Sequence, residues 1–396
     1  MRKFVLFAAL AAVCATVALS QKKKITLPPP GHTESANNRP QVVARPAGAE
    51  LKLPSGFQVQ EWATGFEKPR FMVQAPGGEI LLSDSSDEGK VFVLADKDGD
   101  GKADAGRKTL ITGMYRPFGM AFWKDYLYVA GTTTVKRFKF DAKSTSVDGG
   151  EEVVSMKDFA KGHWTRGITF DAKGQKMYVS IGSASNVDAG EPRERAAINR
   201  YDPDGKNHEV WAEGLRNPVS IRWYPGTQRL WTTVQERDLL GDDLVPDYFT
   251  EVHKGKFYGW PYAYIGPNED PRRKGEKPEL VKKTVEPDLV LGAHVAVLDF
   301  VFYTGSQFPA KYKGGAILAL HGSWNRSKRV GYSLVYAPFK GGKPTGEMEE
   351  LIGGWMLSPD RREVWGRPVG ILQLPDGSLL VSDDGGNKIW RVSYKG

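Results

Sequence analysis

The sequence predicts an all-β fold, a six-bladed β-propeller preceded by a signal peptide and a disordered linker. Three observations carry this expectation. From residue 56 onward, short runs of Val, Ile, Tyr, Phe and Leu alternate with Gly, Asp, Asn and Pro turns, the pattern of strands joined by tight connections. No long amphipathic helical pattern interrupts them. A strand–turn–strand unit also recurs six times, and its first four copies lie about 50 residues apart, the period of propeller blades.

In chain order, residues 1–20 read as a signal peptide. Arg2 and Lys3 give a basic start, residues 4–17 are apolar and uncharged, and Ala18-Leu19-Ser20 offers small residues for cleavage before Gln21. The competing reading is an uncleaved anchor, but the apolar run is short for a bilayer and no later segment is long and apolar enough to span one. A lipoprotein is disfavoured because bulky Val13 precedes Cys14, the chain's single cysteine. Cleavage leaves a periplasmic or secreted protein without disulfides, thiol nucleophile or thiolate metal site, which must be held by its core. Residues 21–50 carry three lysines in a row, three prolines in a row and few large apolar side chains, so they read as a flexible linker that is disordered or loosely draped. Residues 51–396 form the propeller domain.

The six repeats are anchored by Lys68-Pro69-Arg70-Phe71, Arg116-Pro117-Phe118-Gly119, Thr165-Arg166-Gly167-Ile168, Asn217-Pro218-Val219-Ser220, Leu298-Asp299-Phe300 and Arg367-Pro368-Val369-Gly370. Each is followed by a second apolar run. The longer gap between the fourth and fifth copies places an insertion near residues 240–290. Ring closure is expected from pairing of residues 57–62 with residues 388–392, which joins the two ends without a covalent bond. The formal net charge of +8 is spread among many acids with no basic stripe, which argues against nucleic acid as a partner.

Loops that precede inner strands converge at one mouth of a propeller. Here they hold Arg116, His163, Arg166, Arg216, Asn217 and Arg367. Such a concentration of cations predicts a ligand with several carboxylates or phosphates. The alternative is that these arginines brace neighbouring blades.

Several motifs make the reading more specific. Gly162-His163-Trp164-Thr165-Arg166-Gly167, Gly214-Leu215-Arg216-Asn217-Pro218, Tyr258-Gly259-Trp260-Pro261, His321-Gly322-Ser323-Trp324-Asn325-Arg326 and Trp365-Gly366-Arg367-Pro368 stand in order within the repeats. Over roughly residues 55–394 the chain resembles the glucose/sorbosone dehydrogenases that use pyrroloquinoline quinone (PQQ), and is most similar to the sorbosone-dehydrogenase-like branch. The resemblance implies an oxidoreductase that passes a hydride from an aldose or sorbosone-like sugar to PQQ, with His163 taking the hydroxyl proton. It implies that the PQQ carboxylates are held by Arg216, Arg326 or Lys328, and Arg367, with Arg116 and Arg166 nearby. Asn217 would face a quinone oxygen, and Trp324 and Trp365 would wall the ring. It also implies a calcium ion, Ca2+, taken by backbone carbonyls after the second strand of the fourth blade. That region makes Glu236, Arg237, Asp242 and Asp243 the candidate ligands, although the Gly-Pro pair of the glucose dehydrogenases is missing there. Asp242 and Asp243 have two further readings, orienting His163 or capping the loop. His294 is read either as lining the substrate pocket or as structural.

Away from the mouth, residues 96–104 place Asp96, Asp98, Asp100 and Asp104 at the first, third, fifth and ninth positions of an EF-hand-like loop. Arg107 replaces its closing glutamate, so a second calcium and a solvated turn are both open. No Cys-x-x-Cys-His haem motif is present, so electrons would leave to a separate acceptor, a quinone or a cytochrome. Two other classes compete with the dehydrogenase. One is a non-catalytic secreted propeller that binds glycan or protein. The other is a metal-dependent lactonase-type hydrolase, which would need acids and asparagines rather than arginines around the channel.

Overall fold

A computed structural model describes residues 25–396, so the signal-peptide reading of residues 1–20 lies outside the described residues. Six antiparallel blades follow the six repeats. Their inner strands are Pro69–Gln74, Gly119–Trp123, Ile168–Phe170, Asn217–Trp223, Val297–Phe302 and Pro368–Gln373. The second strands, such as Leu81 and Leu82 in Ile80–Asp84, are wholly buried because each is covered on both faces by neighbouring blades. Ring closure is as the termini predict. Phe57–Thr64 pairs with Lys388–Tyr394 in a register that sets Val59 opposite Val392 and Glu61 opposite Trp390. This leaves no unpaired strand at the seam.

Serine hydroxyls stitch the blades at the second strand. Ser83 accepts from Phe71 N at 3.0 Å and donates across to Phe118 O at 2.9 Å. Ser180 accepts from Gly167 N and donates to Val219 O, and Ser382 accepts from Gly370 N and donates to Arg70 O. All three are buried, so each bond settles backbone groups that water cannot reach. We expect Ser382→Ala to cost about 1–3 kcal/mol by stranding those groups. A thermal melt of the apo-protein checks this, with a midpoint lowered by a few degrees.

A polar cluster joins the inner strands of blades 4, 5 and 6. Arg222 on the inner strand of blade 4 donates to both carboxylate oxygens of Asp299 on blade 5, which also accepts from Ser220 Oγ and Ile371 N. The insertion sits between Val252 and Leu289, and holds a hairpin of Ala263–Tyr264 with Asn268–Glu269 and a short helix Pro278–Lys282. No helix among the described residues is long and apolar enough to cross a membrane.

The described part of the expected linker, residues 25–50, is draped rather than free. Ile25 and Leu27 pack against the core of blades 3 and 4, and Gln41–Val42 pairs in parallel with Glu363–Val364. Of the two expected readings, disordered or loosely draped, the described residues follow the draped one. Composition supplied few apolar groups for a core of their own, but the propeller loops offer them hydrogen-bond partners.

Candidate functional site

The loops before the inner strands meet at one mouth, as equivalent positions of a propeller must. His163 lies in the loop before the inner strand of blade 3. Its Nδ1 is 2.9 Å from Ser183 O and 3.1 Å from Ser183 Oγ. A carbonyl only accepts, so Nδ1 carries the proton and Nε2 is left as the basic nitrogen. Burial lowers the pKa of His163 from its ordinary 6.5 to about 3, helped by the positive charges of Arg216, Arg195 and Arg166. The ring is therefore neutral at pH 7. Asn217 is its neighbour: a methyl on Gly182 would meet Asn217 Oδ1 at 2.3 Å and His163 Cβ at 2.6 Å. Asn217 Nδ2 donates to Gln235 Oε1, while its own Oδ1 is buried without a donor.

The pKa shift has a consequence for stability. The unfolded chain binds a proton at His163 near pH 6.5 and the folded chain only near pH 3, so folding stability rises with pH across that window. His321, lowered to about 4 by burial and by Arg367, adds to the same slope. We expect apo-protein melting midpoints to fall as pH drops below 6.5, and His163→Gln to flatten that fall. A pH series of melts reads both.

The arginines divide into two kinds. Arg166 is fully buried, and its guanidinium donates to His163 O, Thr165 O and Phe159 O at 2.7–2.9 Å. It braces the His163 loop, which corrects its expected place on the cofactor. Arg216 is also internally engaged. It donates to Asn186 O and Oδ1, to Glu236 O at 2.7 Å and to Asp238 Oδ2 at 3.0 Å. Arg116 pairs with Asp87 at 2.6 Å. Arg326 is held by Asp243 and by the Asp242 carbonyl. Arg367 differs, because its guanidinium makes only two long bonds of 3.4 Å, to His321 O and Gly322 O. Burial lowers its pKa, so it gains from an anion.

Several expected site residues stand elsewhere. Lys328 is on the exposed rim, 3.5 Å from Asp360. Trp365 is buried with its Nε1 on Gly354 O, under Arg45, and does not face the mouth as a wall. Trp324 is partly exposed, with Arg39 stacked 5.4 Å above its ring. His294 is buried with Nε2 on Gly241 O and Nδ1 beside Asn325, which favours its structural reading. Asp242 caps the facing loop by accepting from Ser327 N at 2.9 Å and from Ser327 Oγ. Neither it nor Asp243 orients His163, a task that Ser183 performs. The Glu236 and Arg237 side chains are buried, and the Arg237 guanidinium, which only donates, could meet a calcium ion only through its backbone carbonyl. Burial raises Glu236 to about 8, and Glu236 O already accepts from Arg216. At the outer loop, Asp96, Asp98 and Asp104 bring carboxylate oxygens within 4.8 Å of one another. Asp100 instead accepts from Lys102 N.

The sequence reading missed several members. Trp164, beside His163, carries Arg70 at 5.1 Å and Arg116 at 5.9 Å over its ring. Arg70 pairs with Asp384 at 2.6 Å, which accepts from His321 Nε2 at 2.8 Å. Burial pushes the Asp384 carboxyl up, but Arg70 and His321 together hold it below the usual carboxylate range. Asp238 joins Arg216, Asn325 and His294. Arg70 lies two places beyond the repeat position of Arg116, which Lys68 holds in the first repeat, so the repeat did not mark it. Asp238, Asp384 and His321 leave the second strands of their blades, and no repeat position marks them.

The fold and this mouth define a six-bladed propeller with a buried cationic site around a neutral histidine. The family model described as TrAA12-like matches residues 51–264 and 269–395, and the chain belongs to that family. It is 30% identical over 372 residues, 89% of this chain and 93% of the other, to an uncharacterized protein of Borreliella burgdorferi. The calcium structure of a Trichoderma reesei Carbohydrate-Active Enzymes Family AA12 protein matches with a TM-score of 0.75 at 21% identity, covering 91% of this chain and 99% of that one. The holo PQQ domain of pyranose dehydrogenase from Coprinopsis cinerea matches with a TM-score of 0.72 at 19% identity, covering 87% and 97%.

Proposed function

We propose that this chain is a periplasmic or secreted quinoprotein dehydrogenase that oxidises an aldose or sorbosone-like sugar. The observation that carries this reading is the pairing of His163 with unfilled acceptors and donors. Among the described residues its Nε2 has no partner and is basic, Asn217 Oδ1 lacks a donor, and Arg367 is a partly buried cation held by long bonds. Arg367 fits an anionic acceptor, and the acceptors His163 Nε2 and Asn217 Oδ1 fit a hydroxyl group that donates. The names of the family's solved relatives, which include a PQQ domain and a calcium structure, agree with it.

When bound, PQQ would supply the two-electron acceptor for the hydride and calcium the charge that polarises it. Arg367 would hold a carboxylate, and Asn217, whose Nδ2 is spent on Gln235, would accept from a sugar hydroxyl through Oδ1 rather than face a quinone oxygen. His163 Nε2 would take the proton of the sugar hydroxyl as the carbon bearing that hydroxyl gives up its C–H hydrogen as hydride, and Ser183 O would hold the ring in the productive tautomer through Nδ1. Arg166 would keep the loop carrying His163 in place. Electrons would then pass to a separate acceptor, a quinone or cytochrome. A second calcium is proposed on Asp96, Asp98 and Asp104.

Titration of the apo-protein with PQQ, with calcium present, should give micromolar or tighter binding and dye reduction with an aldose. Absence of PQQ binding at that level would remove the enzyme reading and leave a glycan- or protein-binding propeller.

A further inference from the structure

We infer that residues 31–43 are a positioning strap for the two mouth loops 239–243 and 324–329, an inference that reaches the cofactor only through the functional reading above. The segment lies outside the stretch matched by the family model, which begins at residue 51. It nevertheless supplies hydrogen-bond partners that these loops lack among themselves.

On the first loop, Gly31 N donates to Leu240 O at 2.9 Å. Gly241 N donates to Ser35 Oγ at 3.1 Å, and Asp242 N donates to Thr33 Oγ1 at 2.7 Å. The approach is close enough to demand glycine. Gly241 has φ +104°, and a methyl there would meet Thr33 O at 2.5 Å. On the second loop, Asn38 N donates to Trp324 O at 2.8 Å. Asn38 Nδ2 donates to Arg326 O at 3.1 Å and Ser327 O at 2.9 Å, while its Oδ1 accepts from Arg329 at 2.7 Å. Asn38 thus uses both ends of its amide on one loop. The strap then pairs with Glu363–Val364, just before Arg367.

The two loops also hold each other, through Asp242 to Ser327, Asp243 to Arg326 and Asp238 to Asn325. Asp238 in turn fixes Arg216, next to Asn217. The strap therefore closes a chain of contacts that ends beside His163. A loop ordered before a ligand arrives does not charge its ordering entropy to binding. Thr33, Ser35 and Asn38 are positioning residues in this sense, since none is placed to touch the ligand itself.

The test uses the full chain with Thr33→Val plus Ser35→Ala, and Thr33→Val alone as a milder variant that keeps shape and loses one acceptor. Amide hydrogen exchange reads Gly241 and Asp242 without any cofactor. Calorimetry with PQQ and calcium reads affinity. The double variant should exchange these two amides about tenfold faster and bind PQQ about tenfold more weakly, the effect of losing one or two hydrogen bonds. Turnover at saturating PQQ should stay at the parental value. Unchanged protection of both amides overturns the strap. Faster exchange with PQQ affinity within twofold of the parent overturns its link to the site. If the parent itself binds no PQQ, the functional reading fails, and the exchange result alone then decides the strap.

Discussion

His163→Gln is expected to lower turnover by about 10²–10⁴-fold while PQQ binding persists, the range for removal of a general base. Glutamine keeps a polar group of similar reach, so the loop braced by Arg166 should stay folded. What it removes is a nitrogen that accepts a proton and stabilises the charge. The native ring is prepared for this role by Ser183, which fixes the Nδ1 proton, and by burial, which keeps the ring neutral. The depressed value belongs to the ligand-free mouth, where Arg216, Arg195 and Arg166 repel a proton on the ring. An anionic cofactor would offset that repulsion and make His163 a stronger base in the complex. Steady-state turnover, measured beside calorimetric PQQ affinity, separates the two effects. Parental activity in the variant would refute the role.

Arg216→Ala and Arg367→Ala are expected to fail in opposite ways. Arg216 is tied to Asn186, Glu236 O and Asp238, all largely buried. Its loss leaves the partly buried Asp238 carboxylate with Asn325 and frees the Glu236 and Asn186 carbonyls, and should destabilise the apo-protein by about 1–3 kcal/mol. Arg367 has only its two 3.4 Å bonds to lose. Its removal should leave the apo melt nearly unchanged, because burial and the nearby Arg70 and Arg329 offset the attraction of Asp384. PQQ affinity should then fall about 10- to 100-fold, the worth of one charge-assisted hydrogen bond. Melts of both variants with and without PQQ give the comparison. A large apo destabilisation in Arg367→Ala with unchanged PQQ affinity would defeat the clamp assignment.

The architecture was legible because it repeats. Six copies of one strand–turn–strand pattern place their leading residues at one mouth, so Arg116, His163, Arg216 and Arg367 could be brought together before any coordinates. The closing pair of strands was legible for the same reason. What each residue does there was less so. Arg166 and Arg216 lie in loops equivalent to that of Arg367, though not at its repeat position, yet two brace loops and one has donors to spare. A guanidinium has five donors, and only the carbonyls around it decide whether they are filled. Those carbonyls belong to residues 159, 163, 186 and 236, which no spacing rule relates to one another.

The sequence by itself determined the all-β class, the number of blades, the seam and the presence of His163 at the mouth. These follow from strand periodicity and from a repeat whose copies must stack on each other. Tertiary structure alone decided how each arginine is engaged, which atom of His163 meets Ser183, and that residues 25–50 lie across the loops. Each of these depends on partners far apart in the chain, such as Asn38 with Arg329 or His321 with Asp384. Such partnerships leave no local pattern, because a buried hydrogen bond is set by where two backbones meet in space.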